Sequence, residues 1–229
     1  MGLRKPYWRT RGFCMTVLYL VPAGRVRAAV PHPLEISEVA PGLTVGGIYA
    51  ARYGGPGKEA TSEFGLLPAY VSYGGRKGFY MRDFRADSDD QRQCGRHMPG
   101  AERAISEFNW ETGDRLIDLE VSSGGAPVIN IRMRPIIGAP ISAAFPILCV
   151  KGTSVVSLKN HYAGGLDISA STVSIPHESP LYGFPFKVKL ISTVWDASNI
   201  VLSEPEYIRK EAMKPAEKAL GTPIGRMQD

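Results

Sequence analysis

The clearest signal along this chain is alternation. In residues 115–121, Ile117, Leu119 and Val121 alternate with Asp118 and Glu120; in residues 128–134, Ile129, Ile131 and Met133 alternate with Asn130, Arg132 and Arg134. A period of two buries one face of a strand and leaves the other to water or a cavity. Ser123-Gly124-Gly125-Ala126-Pro127 joins the two runs, which therefore read as a β-hairpin. Residues 69–73 and 78–85 around Gly74-Gly75 read as another. Apolar runs predict further strands over 13–21, 43–53, 147–151, 154–159, 168–175 and 186–195, and order resumes over 63–67 after the Gly-rich loop. Gly46-Gly47 inside the 43–53 run marks a bulge or a close approach of two backbones.

Helical signals are sparse. Pro22 starts a short helix over 23–30, and Pro31 and Pro33 then stiffen an extended loop. Asp87 or Ser88 caps a helix over 89–96, with acidic residues in its first turn. Residues 204–220 read as a longer C-terminal helix, bent or ended at Pro215, and residues 1–12 as an N-terminal arm. Many strands at short spacing, with 25 Gly and 18 Pro, predict a mainly β (α+β) fold closed into a barrel or sandwich. No repeat, low-complexity tract or composition shift divides residues 1–229, so a single domain is expected. A barrel of moderate strand number holds one small ligand, and the interior is where function is sought.

Composition narrows the function classes. Net charge is +5 and the pI about 9.1, but the basic residues are scattered, with no run of five like charges. A solvated basic surface is the reading, not a nucleic-acid interface. Cys14, Cys94 and Cys149 are far apart and odd in number, which argues against a disulfide framework or a zinc site. The apolar run 13–21 contains Thr16 and Tyr19 and lacks a small-residue cleavage signal, and no run reaches the ~18 apolar residues of a membrane helix. A reducing, cytoplasmic compartment with no membrane partner is the expectation. Nucleotide-binding, nucleophile-elbow and zinc-protease motifs are missing, and His32, His97, His161 and His177 have no metal-ligand spacing.

Four segments in order resemble the acetoacetate decarboxylase family: Val30-Pro31-His32-Pro33-Leu34-Glu35-Ile36, then Tyr73-Gly74-Gly75-Arg76-Lys77-Gly78-Phe79-Tyr80, then Asp87-Ser88-Asp89, then Gly95-Arg96. The similarity covers about residues 10–110. It implies a β-barrel or cone around an apolar cavity, a homo-oligomer, a small-molecule substrate and no metal or organic cofactor. Decarboxylases of that family attack a β-keto acid with a neutral lysine whose pKa is lowered by an adjacent lysine and an apolar pocket; this enzyme is a standard example of such activation. The lysine pair follows the Gly-Arg-Glu segment within about ten residues. Here Arg103 and Ala104 stand at those positions, and His97 replaces the glutamate. Arginine stays protonated and forms no imine.

The resemblance also implies a different set of site residues. Glu63 matches a family glutamate near the active site, Glu102 and Arg103 take the place of the lysines, and Arg11 lies within one residue of a family arginine. With His97, these are the expected catalytic groups (Glu63, His97, Glu102, Arg103), and Arg11 and Tyr80 are expected to bind substrate. A buried carboxylate serves as acid or base, and Arg103 would polarise a carbonyl. Plainer alternatives are a surface ion pair of Glu102 with Arg103 and a structural, hydrogen-bonded Glu63. The expected activity is a lysine-independent lyase or isomerase: cyclisation, dehydration or isomerisation of a carbonyl-bearing, polyketide- or terpenoid-like metabolite. A non-catalytic small-molecule-binding barrel and a decarboxylase with a relocated lysine (Lys58 or Lys77) are the alternatives.

Overall fold

A computed structural model describes residues 8–54, 60–88 and 103–208. The strands are β1 (Trp8–Pro22), β2 (Glu35–Ile36), β3 (Leu43–Tyr53), β4 (Thr61–Tyr73), β5 (Arg76–Ala86), β6 (Arg103–Ile105), β7 (Glu107–Gly113), β8 (Leu116–Ser123), β9 (Ala126–Lys151), β10 (Ser154–Ser174), β11 (Val188–Leu202) and β12 (Glu206–Ile208). One hydrogen-bonded sheet holds them all, in the order β12-β10-β11-β1-β3-β4-β5-β9-β8-β7, with β2 beside β4 and β6 beside β5. Because β9 also pairs with β10, seven strands form a closed circuit: β10, β11, β1, β3, β4, β5 and β9. Pairing is antiparallel except where β5 meets β6 and β9.

Strand alternation sorts the side chains into an inside and an outside. One buried cluster takes residues from all seven circuit strands, including Cys14, Tyr49, Leu67, Phe79, Ile147, Leu158 and Ala197, and so fills the interior. The alternate residues Met15, Val17, Ile48, Ala50 and Phe64 pack outward against Leu119, Val121, Ile129, Ile131 and Met133 of the β8–β9 hairpin. That hairpin is the one whose period of two is plainest in the sequence. A third cluster lies under the only helical turns among the described residues, α1 (Ala23–Val26) and a 3-10 turn at Arg27–Ala29.

The turns follow their chemistry. Gly74-Gly75 and Gly124-Gly125 all have positive φ, which two-residue hairpin loops require and glycine permits. Gly46 and Gly47 lie where strands crowd: a Cβ on Gly47 would sit 2.2 Å from the Val17 carbonyl oxygen.

Several expected boundaries move. The strand expected from residue 13 begins at Trp8, because β11 supplies partners down to Leu202, so residues 8–12 are not an arm. The expected helix over 23–30 splits into the two short turns, since Pro31 holds Val30 extended. The strand expected over 69–73 begins at Thr61 and takes in the ordered run 63–67, continuing through Pro68. The runs 147–151, 154–159 and 168–175 are parts of β9 and β10, which pair from Ser154–Lys151 to Ser174–Asn130. The expected C-terminal helix is contradicted at its start. Glu206–Ile208 is a strand on Val155–Ser157, anchored by a 2.9 Å ion pair from Arg76 to Glu206, and Pro205 disfavours a helical residue before it. Residues 209–220 and the helix expected over 89–96 lie outside the described residues.

The Gly47 contact is a test of the packing. Gly47→Ala should lower unfolding free energy by about 2–3 kcal/mol, read as a shift in the denaturant midpoint. Gly24→Ala, with open space around its Cβ, should not destabilise the protein.

Candidate functional site

The interior has a polar centre built from neighbouring strands. Trp195, Cys14, Ala51, Glu63 and Ala86 form one cross-strand row over β11, β1, β3, β4 and β5. Glu63 is buried and sits between two alanines, which leave space above them. On β3, Tyr49 and Tyr53 flank Ala51 two residues to either side, so all three share the inner face. The two phenols lean over Ala51 and are hydrogen-bonded to each other. Tyr162 of β10 brings its hydroxyl to 3.3 Å from that of Tyr49. A second buried hydroxyl pair, Thr16 with Thr193 at 2.7 Å, lies on the adjacent row.

Apolar groups surround this centre. Phe145 stacks on Tyr49 and on Phe79, and Trp195 tilts against Tyr162. Cys14, Thr16, Tyr49, Ala143, Ala144, Phe145, Tyr162 and Trp195 line a cavity of about 30 Å³. A void of that size holds a water-sized group. That void is smaller than a polyketide- or terpenoid-sized molecule.

Burial sets the protonation of the centre. It pushes Tyr49 and Tyr53 well above the ordinary phenol range, and negative charge on Tyr162 and Glu63 would push them further. Tyr162 is raised for the same first reason, opposed by its hydrogen bonds to Tyr49 and Tyr53. At neutral pH the three are therefore neutral hydrogen-bond donors beside a carboxyl group. Burial also raises the Cys14 thiol and pushes Cys149 up to about 12, so neither is a thiolate nucleophile.

The expected site residues separate. Glu63 lies in the centre. Arg11 is exposed on β1 and lines a groove of about 380 Å³ with Phe13, Arg52 and Tyr53. Tyr53 thus belongs both to this groove and to the interior. Tyr80 lies on the opposite face of β5 from Phe79 and Met81, packed on the cluster beneath α1, where it lines a separate pocket of about 890 Å³. The backbone of Arg103 starts β6 opposite Phe84, an interior residue. His97 and Glu102 lie outside the described residues, as does Lys58. Lys77, Lys151, Lys159, Lys187 and Lys189 are all exposed. Among the described residues no group of three or more His, Cys, Asp and Glu is placed to hold a metal ion, and no helix is long and apolar enough to cross a membrane.

Tyr49, Tyr53 and Tyr162 are not among the residues expected from sequence. The first two were readable in principle: they lie at i and i+4 in a strand of period two, with Ala51 between them. Tyr162 carried no such signal, because its stretch of β10 does not read as a strand.

The arrangement of strands is that of the acetoacetate decarboxylase-like proteins. Acetoacetate decarboxylase from Legionella pneumophila superposes with a TM-score of 0.63 at 15% identity, over 91% of this chain and 93% of that one. The enduracididine biosynthesis enzyme MppR does so with 0.60 at 14%, over 90% and 91%. An acetoacetate decarboxylase-like enzyme from Sphingomonas wittichii gives 0.61 at 12%, over 89% and 93%. No protein-family model matches the chain, and no curated protein matches it in sequence.

The raised phenols fix a sign for alkaline stability. Unfolded tyrosines ionise near pH 10, while the folded protein keeps these three protonated. The native state then binds more protons than the unfolded one, so their contribution is fully present below pH 10 and is lost as pH rises above it. Tyrosinate absorbance should show these phenols ionising only on unfolding. Tyr49→Phe/Tyr53→Phe/Tyr162→Phe should flatten the alkaline loss of stability; an unchanged slope would contradict the assignment.

Proposed function

We propose that the chain is a lysine-independent lyase or isomerase that moves a proton next to the carbonyl of a small, carboxylate-bearing substrate. The observation that carries this reading is the convergence of three neutral phenols on Glu63 in an apolar interior. Once the side chains lining the small void have moved apart to admit the substrate, Glu63 takes a proton from the carbon beside the carbonyl. The C–H electron pair forms an enolate, and its oxygen accepts hydrogen bonds from the Tyr49, Tyr53 and Tyr162 hydroxyls. Donors fixed in advance in a low-dielectric site stabilise developing negative charge without reorganisation. Returning the proton to another carbon completes an isomerisation; passing it instead to a hydroxyl on the next carbon, which leaves as water as the enolate collapses to the unsaturated ketone, completes a dehydration.

The groove at Arg11 supports the substrate class. Arg11 and Arg52 line it near the start of β1 and the end of β3, so a carboxylate drawn to the two guanidiniums is held at the same end of these strands as Tyr53. MppR, of the same fold, has been seen with pyruvate, a small carboxylate-bearing ketone. The exposure of the five described lysines on the strands and turns favours proton transfer over imine formation. Arg103 enters this proposal through its backbone position beside Phe84, and His97 and Glu102 through their place in the chain just before it.

The test needs no knowledge of the natural substrate. Pyruvate and other small 2-oxo and 3-oxo acids are incubated with the protein in heavy water, and exchange of the proton beside the carbonyl is followed by NMR. Exchange should be catalysed, and Glu63→Gln should slow it by about 10²–10⁴-fold. Tyr49→Phe and Tyr53→Phe should each slow it by about 10-fold or more. Exchange indifferent to Glu63→Gln, or a lysine adduct trapped by borohydride, would sink the proposal.

A further inference from the structure

The pocket of about 890 Å³ that Tyr80 lines takes no part in the reaction proposed above. Its volume lies within the ~300–1,000 Å³ of small-molecule sites. Three parts of the chain line it: the β4–β5 pair, the turns at residues 25–29, and the segment 180–185. The lining draws on both outer clusters, Leu66 and Leu181 from one and Val26 and Tyr80 from the other, and Phe184 packs on each. Hydrogen bonds fix the two turns that frame it. The Arg27 guanidinium donates to the Val30 and Leu34 carbonyls at 2.6 and 3.0 Å. The buried Ser179 hydroxyl donates to the Val128 carbonyl at 2.6 Å and accepts from the Leu181 N–H at 3.1 Å. The cavity is therefore preformed.

Two strand irregularities shape its sheet side. Between the pairs Leu66–Arg82 and Phe64–Arg85, β5 sets Asp83 and Phe84 against Gly65 alone; between Leu66–Arg82 and Ala69–Tyr80, β4 sets Leu67 and Pro68 against Met81 alone. Bulges of this kind re-aim side chains and gather beside functional sites. Here they let the successive residues Tyr80, Met81, Arg82 and Asp83 all line the pocket, where regular alternation would turn every second one away. Asp83 is held at a φ of 51°, the one residue other than glycine with positive φ among the described residues. A residue stays in that region only where its surroundings over-determine it. For Asp83 one such constraint is a 2.9 Å ion pair to the buried Arg85.

We propose that this cavity is a second small-molecule site, separate from the interior, and that its ligand is an aromatic organic acid. Tyr80, Tyr182 and Phe184 supply aromatic lining, and aromatic pairs gain from their contact geometry beyond the area they bury. Arg25 of α1 and Arg82 of β5 supply the charge; both are exposed, and neither is in an ion pair among the described residues. The carboxylate in the lining, Asp83, already has the Arg85 guanidinium as its partner. Counted with Arg85, three guanidiniums (Arg25, Arg82, Arg85) stand against one carboxylate (Asp83). That balance draws in a carboxylate or sulfonate and repels a cation. An acid of this class places its ring among the aromatic and aliphatic side chains and its charge near the two exposed guanidiniums, where water keeps part of its hydration.

The proposal does not rest on the reaction assigned to Glu63. Anilinonaphthalene sulfonate, an aromatic anion, is titrated into the full chain and followed by fluorescence, in parallel with the uncharged phenylnaphthylamine. The sulfonate should bind saturably. Ala28→Trp, which places an indole in the cavity from an exposed position, should abolish binding of both dyes. Arg25→Ala/Arg82→Ala should weaken the sulfonate by about 10-fold or more and the uncharged dye by less than about 2-fold. Circular dichroism and the thermal midpoint check folding; were Ala28→Trp unfolded, the arginine variant, altered only at exposed side chains, decides alone. Absence of saturable binding would overturn the proposal, as would an equal effect of the arginine variant on both dyes. Sulfonate binding that survives a folded Ala28→Trp, or that is lost only with Arg11→Ala/Arg52→Ala, places the dye elsewhere and overturns it too.

Discussion

Two residue pairs close the structure: Phe79 with Ile147 and Tyr80 with Leu148, where β5 runs parallel to β9. All other neighbours in the circuit are joined by longer antiparallel ladders. Without this junction the seven strands would form an open sheet with an edge at β5 and a second face in water. With it, every strand has an inside, and alternate residues from all seven meet in one cluster. Gly78 makes the junction possible. A Cβ there would lie 3.0 Å from the Pro146 carbonyl group, so the close approach of the two backbones selects glycine.

Closure raises the cost of every polar group it encloses. A phenol or carboxyl taken from water without a partner costs about 1–3 kcal/mol or more. The interior meets this cost by grouping its polar atoms: Tyr49 with Tyr53 and Tyr162, Thr16 with Thr193. Small residues make the grouping feasible, since Ala51 and Ala86 flank Glu63 and leave the phenols room to lean inward. The same enclosure that makes these groups costly also strengthens their electrostatic action on anything that enters. A cluster needed only for stability could be replaced by packed aliphatics at little loss.

Legibility in the sequence followed locality. The β8–β9 hairpin and both Gly-Gly turns could be read because periodicity and turn chemistry lie within a few residues of each other. Gly46-Gly47 could be read as a close approach, though not which strand approaches. The middle of β9 and β10 could not: Pro135, Pro140 and Gly164-Gly165 interrupt the pattern, and the strands are continuous only because each is the other's partner. Glu206–Ile208 has helix-forming neighbours and is a strand because β10 offers an edge. Within the interior, the resemblance pointed to Glu63, which is buried there, while the phenols of Tyr49 and Tyr162 come from two strands and lie 113 residues apart in the chain. Such a convergence exists only after the circuit closes.

The sequence position at which the resemblance expects a nucleophilic amine bears on the reaction proposed above. An imine draws electrons from the substrate through a covalent bond, and needs a neutral amine in an apolar pocket. Arg103 cannot provide it, because a guanidinium keeps its proton. What the interior does provide is hydrogen-bond donors whose protons burial holds in place. Donors of this kind would stabilise an enolate without a covalent bond, as in the proton transfer proposed above, which makes less demand on the electron sink than releasing carbon dioxide does. The fold supplies the enclosure in both cases. The reaction is decided by whether the electron sink inside is an amine that must lose its proton or phenols that must keep theirs.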